Sequence, residues 1–146
     1  MLRKPFPGAG YMRATRTFLL KGVERMIDHV RSLEELKCAY WKKAKNKNLR
    51  IGDICFLYLS GKGHNQVRYC LEVVDTSCCR NDADCWRQPF RPDNDCYKMV
   101  ALYPMYRGAG LSLDTLESIG ISRYVQFKRL DDHQARLLRG YFENEQ

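Results

Sequence analysis

The sequence has little of what an enzyme or a membrane protein needs. Its three histidines, His29, His64 and His133, lie in no recognisable catalytic motif. The segments Gly61-Lys62-Gly63 and Gly108-Ala109-Gly110 are too short to cradle a phosphate, and no Walker or nuclease motif occurs. No apolar run approaches the roughly 20 residues that span a bilayer. We therefore expect no enzymatic activity, no cofactor and no membrane partner.

The N-terminal region lacks the apolar core of a secretory signal. Residues 1–15 carry several basic side chains and are interpreted as a flexible basic arm. Residues 16–146 are predicted to form a single domain, because a chain of 146 residues suits one hydrophobic core. The expected location is cytoplasmic.

The chain also lacks a disulfide or metal pattern. It has seven cysteines, an odd number, and without a secretory signal reduced thiols are expected. A zinc site would have to use Cys78, Cys79, Cys85 and Cys96, with His64, but no Cys-x-x-Cys pair is present. Asp82-Ala83-Asp84 and Asp93-Asn94-Asp95 could bind a divalent ion, although such segments usually form turns. We expect no metal.

Positive charge is concentrated in the first third of the chain. Residues 1–50 contain 13 Lys and Arg against four Asp and Glu, whereas the remaining residues contain 12 against 13. The net charge of +8 is therefore unevenly distributed. This pattern favours a polyanionic partner such as nucleic acid, since Lys and Arg near phosphates release bound counterions. The alternative is that the charge serves solubility alone.

Hydrophobic periodicity predicts an α+β fold: a small, mostly antiparallel β-barrel of about five to six strands flanked by helices. The predicted strands cover residues 16–21, 54–60, 67–76, 96–106 and 122–127. The predicted helices cover residues 23–30, a short segment from the capping box at 32–35 through residue 40, residues 112–119, and a last helix that begins after Asp131. Residues 77–95 show no periodicity and are interpreted as a long loop.

The segment from Tyr40 to Asp53 carries the clearest functional pattern. Two aromatic residues precede a lysine-rich loop and a Gly-Asp turn, so flat stacking surfaces stand beside cations that can contact phosphates. The phosphate-binding candidates are Lys42, Lys43, Lys45, Lys47 and Arg50. Candidates for hydrogen bonds to a base edge are Asn46, Asn48 and Ser60.

Several short motifs, in this order and spacing, resemble an EVE domain of the PUA-like superfamily. The resemblance covers residues 16–143 and is carried by Phe18-Leu19-Leu20, Trp41 with its polar loop, residues 49–58, residues 69–74, residues 99–102, residues 111–116 and the closing helix. It implies a PUA-like barrel that holds a flipped-out base in an aromatic pocket. By position, it assigns Trp41, Tyr58 and Ser60 to that pocket, and residues 77–95 have no counterpart in the pattern.

The resulting functional prediction is a non-catalytic module that reads a modified base, such as 5-methylcytosine in DNA, by base flipping. DNA is favoured over RNA as the partner, and a separate effector protein such as a nuclease or motor subunit would supply any catalysis. An RNA-binding PUA-like module for modified or structured RNA is the main alternative. A protein-interaction domain with an incidental basic arm is a third.

The same residues also have purely structural interpretations. Trp41, placed near the end of a predicted amphipathic helix, could plug the mouth of the barrel. Tyr58 shares a strand face with Ile54 and Phe56 and could be a core residue. The lysine-rich loop could simply be solvated.

Overall fold

The computed structural model describes residues 15–45 and 47–144. These residues form a six-stranded sheet with the spatial order β2-β5-β4-β3-β1-β6. The strands are β1 (Thr17–Val23), β2 (Ala39–Lys42), β3 (Ile54–Ser60), β4 (Gln66–Cys78), β5 (Cys96–Ala101) and β6 (Phe127–Leu130). The pair β1 and β3 is parallel and the other neighbouring strands are antiparallel.

Three helices accompany the sheet. They are the short α1 (His29–Arg31), α2 (Leu113–Ser118) and α3 (Asp132–Asn144). A π-helical turn, Ser32–Leu36, follows α1, and a 3₁₀ turn, Ala83–Cys85, interrupts the segment between β4 and β5. None of the described helices has the length and apolar character needed to cross a membrane.

Strand β3 lies inside the sheet and is buried on both faces. Its sequence from Ile54 to Leu59 is apolar apart from the Tyr58 hydroxyl, and every one of these residues is buried. Because side chains alternate along a strand, Cys55, Leu57 and Leu59 point into one core cluster, and Ile54, Phe56 and Tyr58 point into another. The sheet therefore needs a cover on each side.

Helices α2 and α3 cover the second of these faces. Leu116 from α2 and Leu138 and Phe142 from α3 are essentially inaccessible to solvent. The Phe142 ring lies 5.8 Å from the Phe56 ring, centroid to centroid. This aromatic contact fixes the last helix against the middle of the sheet.

The first face is covered by the chain that runs from β1 through β2 to β3, around which the sheet curls. The Tyr97 hydroxyl of β5 donates to the Lys47 carbonyl at 2.6 Å and accepts from the Leu49 amide at 3.1 Å. The Lys47 ammonium lies 6.0 Å from the ring centroid of Phe127 in β6. This connecting segment therefore reaches from the β2 edge of the sheet to its β6 edge.

The sheet remains open. Among the described residues no backbone ladder joins the edge strands β2 and β6, since the link between them is made by side chains of the connecting segment. The sheet curls in the direction of the predicted barrel without closing. The predicted number of strands, the mostly antiparallel pairing and the flanking helices are confirmed.

Four of the five predicted strands lie close to their predicted positions, and the fifth lies at Phe127–Leu130 instead of 122–127. The helix capped by Ser112 is confirmed, and the Ser112 hydroxyl accepts from the Thr115 amide at 3.4 Å. The last helix also begins as predicted, with the Asp131 carboxylate accepting from the Gln134 amide at 2.7 Å. Residues 1–14 of the predicted basic arm lie outside the described residues.

The predicted helix over residues 23–30 is wrong except at its end, and the helical segment predicted from residue 32 stops at Leu36 instead of reaching Tyr40. Strand β1 continues to Val23, and α1 begins only at His29, where the Asp28 side chain accepts from the Arg31 amide. The π-helical turn is terminated by Lys37, whose φ of +64° is incompatible with continued helix, so the residues after it adopt an extended conformation. Tyr40 and Trp41 therefore belong to strand β2.

Replacing Phe142 tests the packing of α3. Phe142→Ala should lower the free energy of unfolding by about 3–5 kcal/mol, because a buried aromatic ring leaves a cavity. Tyr141→Ala on the same helix is the matched control, since Tyr141 is 37% exposed, and it should lose less. Urea unfolding curves measure both values, and equal losses would contradict this packing.

Candidate functional site

A cavity of about 490 Å³ lies on the open side of the curled sheet. Its walls come from the end of β1, the segment around α1, strand β2 and the long segment between β4 and β5. The lining includes Gly22, His29, Trp41, Lys42, Lys47 and Trp86, together with Arg80 and Arg91 from the long segment. The cavity is therefore assembled from the end of β1, the edge strand β2 and two irregular segments.

Trp41 forms one aromatic wall of the cavity. Its strand position, opposite Tyr97 in β5, directs a half-buried indole toward the His29 ring, with centroids 5.5 Å apart. Neighbouring Tyr40 also lines the cavity. Burial, with a hydrogen bond to Cys38, raises the pKa of Tyr40 to about 12, so its phenol remains neutral near pH 7.

Trp86 supplies a second indole from the segment between β4 and β5. Its indole N–H donates to an Asp82 carboxylate oxygen at 3.1 Å, and the Arg80 guanidinium lies 4.9 Å from its ring centroid. The ring edge-packs against Phe90 at 5.2 Å. A backbone bridge to Ile27 also joins this segment to the chain that precedes α1. The position of this indole is therefore fixed by several contacts.

A buried ion pair orders the same segment. Arg80 and Asp82 form two hydrogen bonds, of 3.1 and 3.0 Å, and their side chains are 4% and 2% exposed. Arg80 also donates to the Tyr40 carbonyl at 3.1 Å and lies 3.7 Å from the Asp93 carboxylate. This network ties the segment to β2, which explains how a stretch without hydrophobic periodicity holds a defined wall.

A buried Glu24–His29 pair stands at the opposite wall. One Glu24 oxygen accepts from the His29 backbone N–H at 2.9 Å and lies 2.7 Å from the ring nitrogen Nδ1. The other oxygen lies 4.0 Å from Nε2 of His64 and 3.9 Å from the Arg87 guanidinium. The His29 ring thus has one nitrogen held by a carboxylate.

Two of the predicted phosphate-binding residues, Lys42 and Lys47, line the cavity. Lys43 instead donates to Asp95 at 2.7 Å, and this hydrogen bond raises the pKa of Lys43. Lys45 and Arg50 are exposed but are not cavity-lining residues. The five predicted cations therefore divide into two at the cavity, one paired with a carboxylate and two elsewhere on the surface.

The predicted base-pocket residues are not brought together. Trp41 lines the cavity, whereas Tyr58 is 3% exposed in the core cluster on the other face of the sheet. Ser60 donates to the Gly22 carbonyl at 3.3 Å, and Asn48 is exposed, with its carbonyl accepting from Arg16 at 2.8 Å. Asn46 lies outside the described residues. The two-residue period of β3 explains why Tyr58 faces away from the cavity.

Sequence reasoning missed His29, Arg80, Trp86 and Arg91. For three of these a signal was present, because the segment from 77 to 95 interleaves an indole with basic residues in the way that nucleic-acid-binding surfaces do. His29 carried no such signal. Its place on the cavity wall depends on the bend after β1, which was predicted as a helix.

The cysteines do not form a metal site in the part of the chain that the structure describes. All seven lie within the described residues, and none of them forms a disulfide there. Within residues 15–45 and 47–144, no group of three or more His, Cys, Asp or Glu residues is placed to hold a metal ion. Cys55 and Cys70 are fully buried core residues.

No protein-family model matches the chain, and no curated protein matches its sequence. Solved structures share its fold. Human THYN1, determined in complex with DNA containing 5-methylcytosine, is 10% identical, with a TM-score of 0.58 over 88% of this chain and 98% of that one. ASCH from Zymomonas mobilis is 8% identical, with a TM-score of 0.57 over 85% and 94% of the two chains. Rpa0253 from Rhodopseudomonas palustris is 12% identical, with a TM-score of 0.59 over 90% and 96%.

At identities of 8–12%, the structural similarity to these proteins establishes the fold of the chain and does not establish its function. The chain has the PUA-like α+β fold, as predicted: a mostly antiparallel six-stranded sheet with three helices.

Removing Asp82 tests whether the buried ion pair holds the Trp86 wall. Asp82→Ala removes the buried carboxylate that forms two hydrogen bonds with Arg80 and leaves the more distant Asp93 as its nearest acidic partner, so stability should fall by up to about 3–5 kcal/mol. Under native conditions, trypsin should cleave after Arg87 faster than in the wild type. Asp84→Ala is the matched control, since Asp84 is exposed and its backbone carbonyl still accepts from Arg31. Mass spectrometry of timed digests measures cleavage, and identical rates in both variants would refute the role of the pair.

Proposed function

We propose that this chain is a non-catalytic nucleic-acid-binding module of the EVE type, which takes one extruded base into the cavity beside Trp41. The observation that carries the proposal is the combination of two indoles and several cations around one cavity. Aromatic faces bind the flat surface of a base, and Lys and Arg bind the adjoining phosphates. Both requirements are met within the described residues.

The size of the cavity supports a small planar ligand. Its volume of about 490 Å³ lies within the range of roughly 300–1,000 Å³ that is typical of small-molecule sites. The lining is mixed, with Trp41, Trp86 and Ile27 beside polar groups such as His29. A single base fits this description better than a second protein surface, which would need a larger and flatter contact area.

The energetics also favour two aromatic walls over one. Extruding a base from a duplex costs a few kcal/mol, while stacking on an aromatic ring returns roughly 1–3 kcal/mol per base. Trp41 alone would barely offset the extrusion. A second indole from Trp86, together with phosphate contacts from Lys42, Lys47 and Arg91, supplies the remainder.

We further propose that the ligand is DNA carrying a modified cytosine. The support is the fold shared with human THYN1, whose structure contains DNA with 5-methylcytosine. RNA carrying a modified base is the alternative outcome of the test below. Because the module is proposed to bind without catalysis, a separate effector protein would act on the bound nucleic acid.

Replacing Trp41 tests the proposal. Wild-type protein should bind a short duplex containing one 5-methylcytosine more tightly than the unmodified duplex, and Trp41→Ala should weaken binding about 5- to 150-fold, since stacking is worth about 1–3 kcal/mol. Fluorescence anisotropy measures both affinities. Tyr124→Ala is the matched control, because Tyr124 is 84% exposed and is not a cavity-lining residue.

The result has three clear readings. Loss of selectivity in Trp41→Ala alone supports the proposed pocket. Binding that ignores the modification and survives the Trp41 substitution contradicts it and leaves a general polyanion binder. Tighter binding to a matched RNA would contradict the proposed preference for DNA and identify RNA as the ligand.

The salt dependence of binding tests whether Lys42, which lines the cavity, contacts phosphate more strongly than Lys43, which is paired with Asp95. If all five predicted cations contacted duplex phosphates, the slope of log K against log salt concentration would be about −4.5. Lys42→Ala should make the slope less negative by about 0.9. Lys43→Ala should change it less, because its ammonium is paired with Asp95 at 2.7 Å. Equal changes in the two variants would show that this ion pair opens on binding.

A further inference from the structure

The Glu24–His29 pair is an unusual feature for a cavity wall. Glu24 is 7% exposed and His29 is 4% exposed, so a carboxylate and an imidazole are both largely withdrawn from water. Buried polar groups of this kind are costly unless they are fully hydrogen-bonded. Glu24 has several partners, whereas His29 has a partner at only one of its ring nitrogens among the described residues.

The geometry fixes which nitrogen of His29 carries a proton. The Glu24 oxygen near Nδ1 also accepts from the His29 backbone N–H, a group that can only donate. An ionised Glu24 carboxylate has only acceptor oxygens, so both groups donate to this oxygen and Nδ1 carries the proton. In the neutral ring, Nε2 then carries a lone pair and accepts hydrogen bonds.

The Nε2 edge of the ring borders the cavity. A side-chain carbon added at Gly22, itself a cavity-lining residue, would lie 3.0 Å from Cε1 and 3.3 Å from Nε2 of His29. Among the described residues, Tyr69 Oη is the only buried side-chain nitrogen or oxygen without a hydrogen-bond partner. Nε2 has no hydrogen-bond partner among the described residues and is not one of these fully inaccessible atoms, and it lies beside Gly22, which lines the cavity together with His29.

We propose that His29 Nε2 reads the hydrogen-bonding edge of the bound base, and that the cavity selects a base presenting an N–H to it. This inference rests on the proposed function and adds a chemical criterion to it. Trp41 and His29 line the same cavity with their ring centroids 5.5 Å apart, so a base bound in that cavity beside the indole is also a neighbour of the imidazole. The exocyclic amine of cytosine or adenine meets the criterion, and Glu24 acts as the positioning residue.

The test compares bases that differ by one amine. Each probe is a short oligonucleotide with a single base at its centre and abasic sugars on both sides, so no other base can occupy the cavity. One pair carries 5-methylcytosine or 5-methyl-2-pyrimidinone, which has hydrogen in place of the amine; a second pair carries adenine or purine. Binding is measured at about pH 8.5 for every probe.

The wild type should prefer the amine-bearing member of a pair by about three- to tenfold, the value of one net hydrogen bond. His29→Phe should reduce this ratio to about one while both affinities still depend on Trp41. His29→Gln is the second variant, in case Phe disturbs folding; its amide both donates and accepts, so the ratio should again approach one. Glu24→Gln should give an intermediate ratio.

The two proposals fail in different ways. If the wild type binds both members of each pair equally and Trp41→Ala weakens all of them, the role of His29 is overturned and the base pocket stands. A preference for the base without the amine also overturns it. If the wild type binds none of the probes, the pocket itself is wrong, and the role of His29 falls with it.

Discussion

The burial of strand β3 on both faces is the constraint on which the rest of this structure depends. A strand with apolar side chains on alternating sides cannot leave either side in water. On one side the requirement is met by α2 and α3, with Phe142 packed on Phe56. On the other side neither α2 nor α3 contributes to the core cluster, and among the described residues the chain between β1 and β3 forms the cover. That cover is irregular, and its irregularity leaves room for the cavity.

An open sheet gives this fold a site that a closed barrel would not have. Where β2 and β6 approach without pairing, the gap is crossed by the segment around Lys47, anchored by the Tyr97 hydroxyl. The segment between β4 and β5 then closes the side that remains, held by Arg80 and Asp82. The cavity is therefore assembled from parts distant in sequence, and each part is fixed by contacts outside the cavity.

The sequence predicts those features that depend on neighbours along the chain. Local patterns predicted the helix caps at Ser112 and Asp131, the apolar strand β3 and its hairpin partner β4. All four features are present in the structure. Features that depend on distant contacts were missed. The apolar spacing from Val23 to Val30 predicted a helix, but the chain bends there instead. The Glu24 carboxylate holds this bend by contacts with the backbone amide and the ring of His29. No periodicity in the sequence encodes that bond.

Trp41, predicted as a pocket residue, lines the cavity, although its predicted secondary structure was wrong. Its helical placement was an error, yet as a strand residue beside a lysine-rich segment it still lines the cavity. Tyr58 shows the converse. Its strand was predicted correctly, but the side on which it emerges depends on the register of β3 against β1, where Tyr58 lies opposite Lys21. A shift of one residue would have sent it to the other face.

The buried Arg80–Asp82 ion pair and the buried Glu24–His29 hydrogen bond distinguish the residues that hold the fold from those that shape the site. Burying an ion pair contributes little net stability, because the loss of hydration offsets much of the attraction. The apolar clusters around β3 already account for the core, and neither Arg80–Asp82 nor Glu24–His29 belongs to them. Both pairs instead hold residues of the cavity wall, Trp86 in one case and the His29 ring in the other. Both pairs thereby fix the geometry of the wall, which the proposed selection of a base by one hydrogen bond requires.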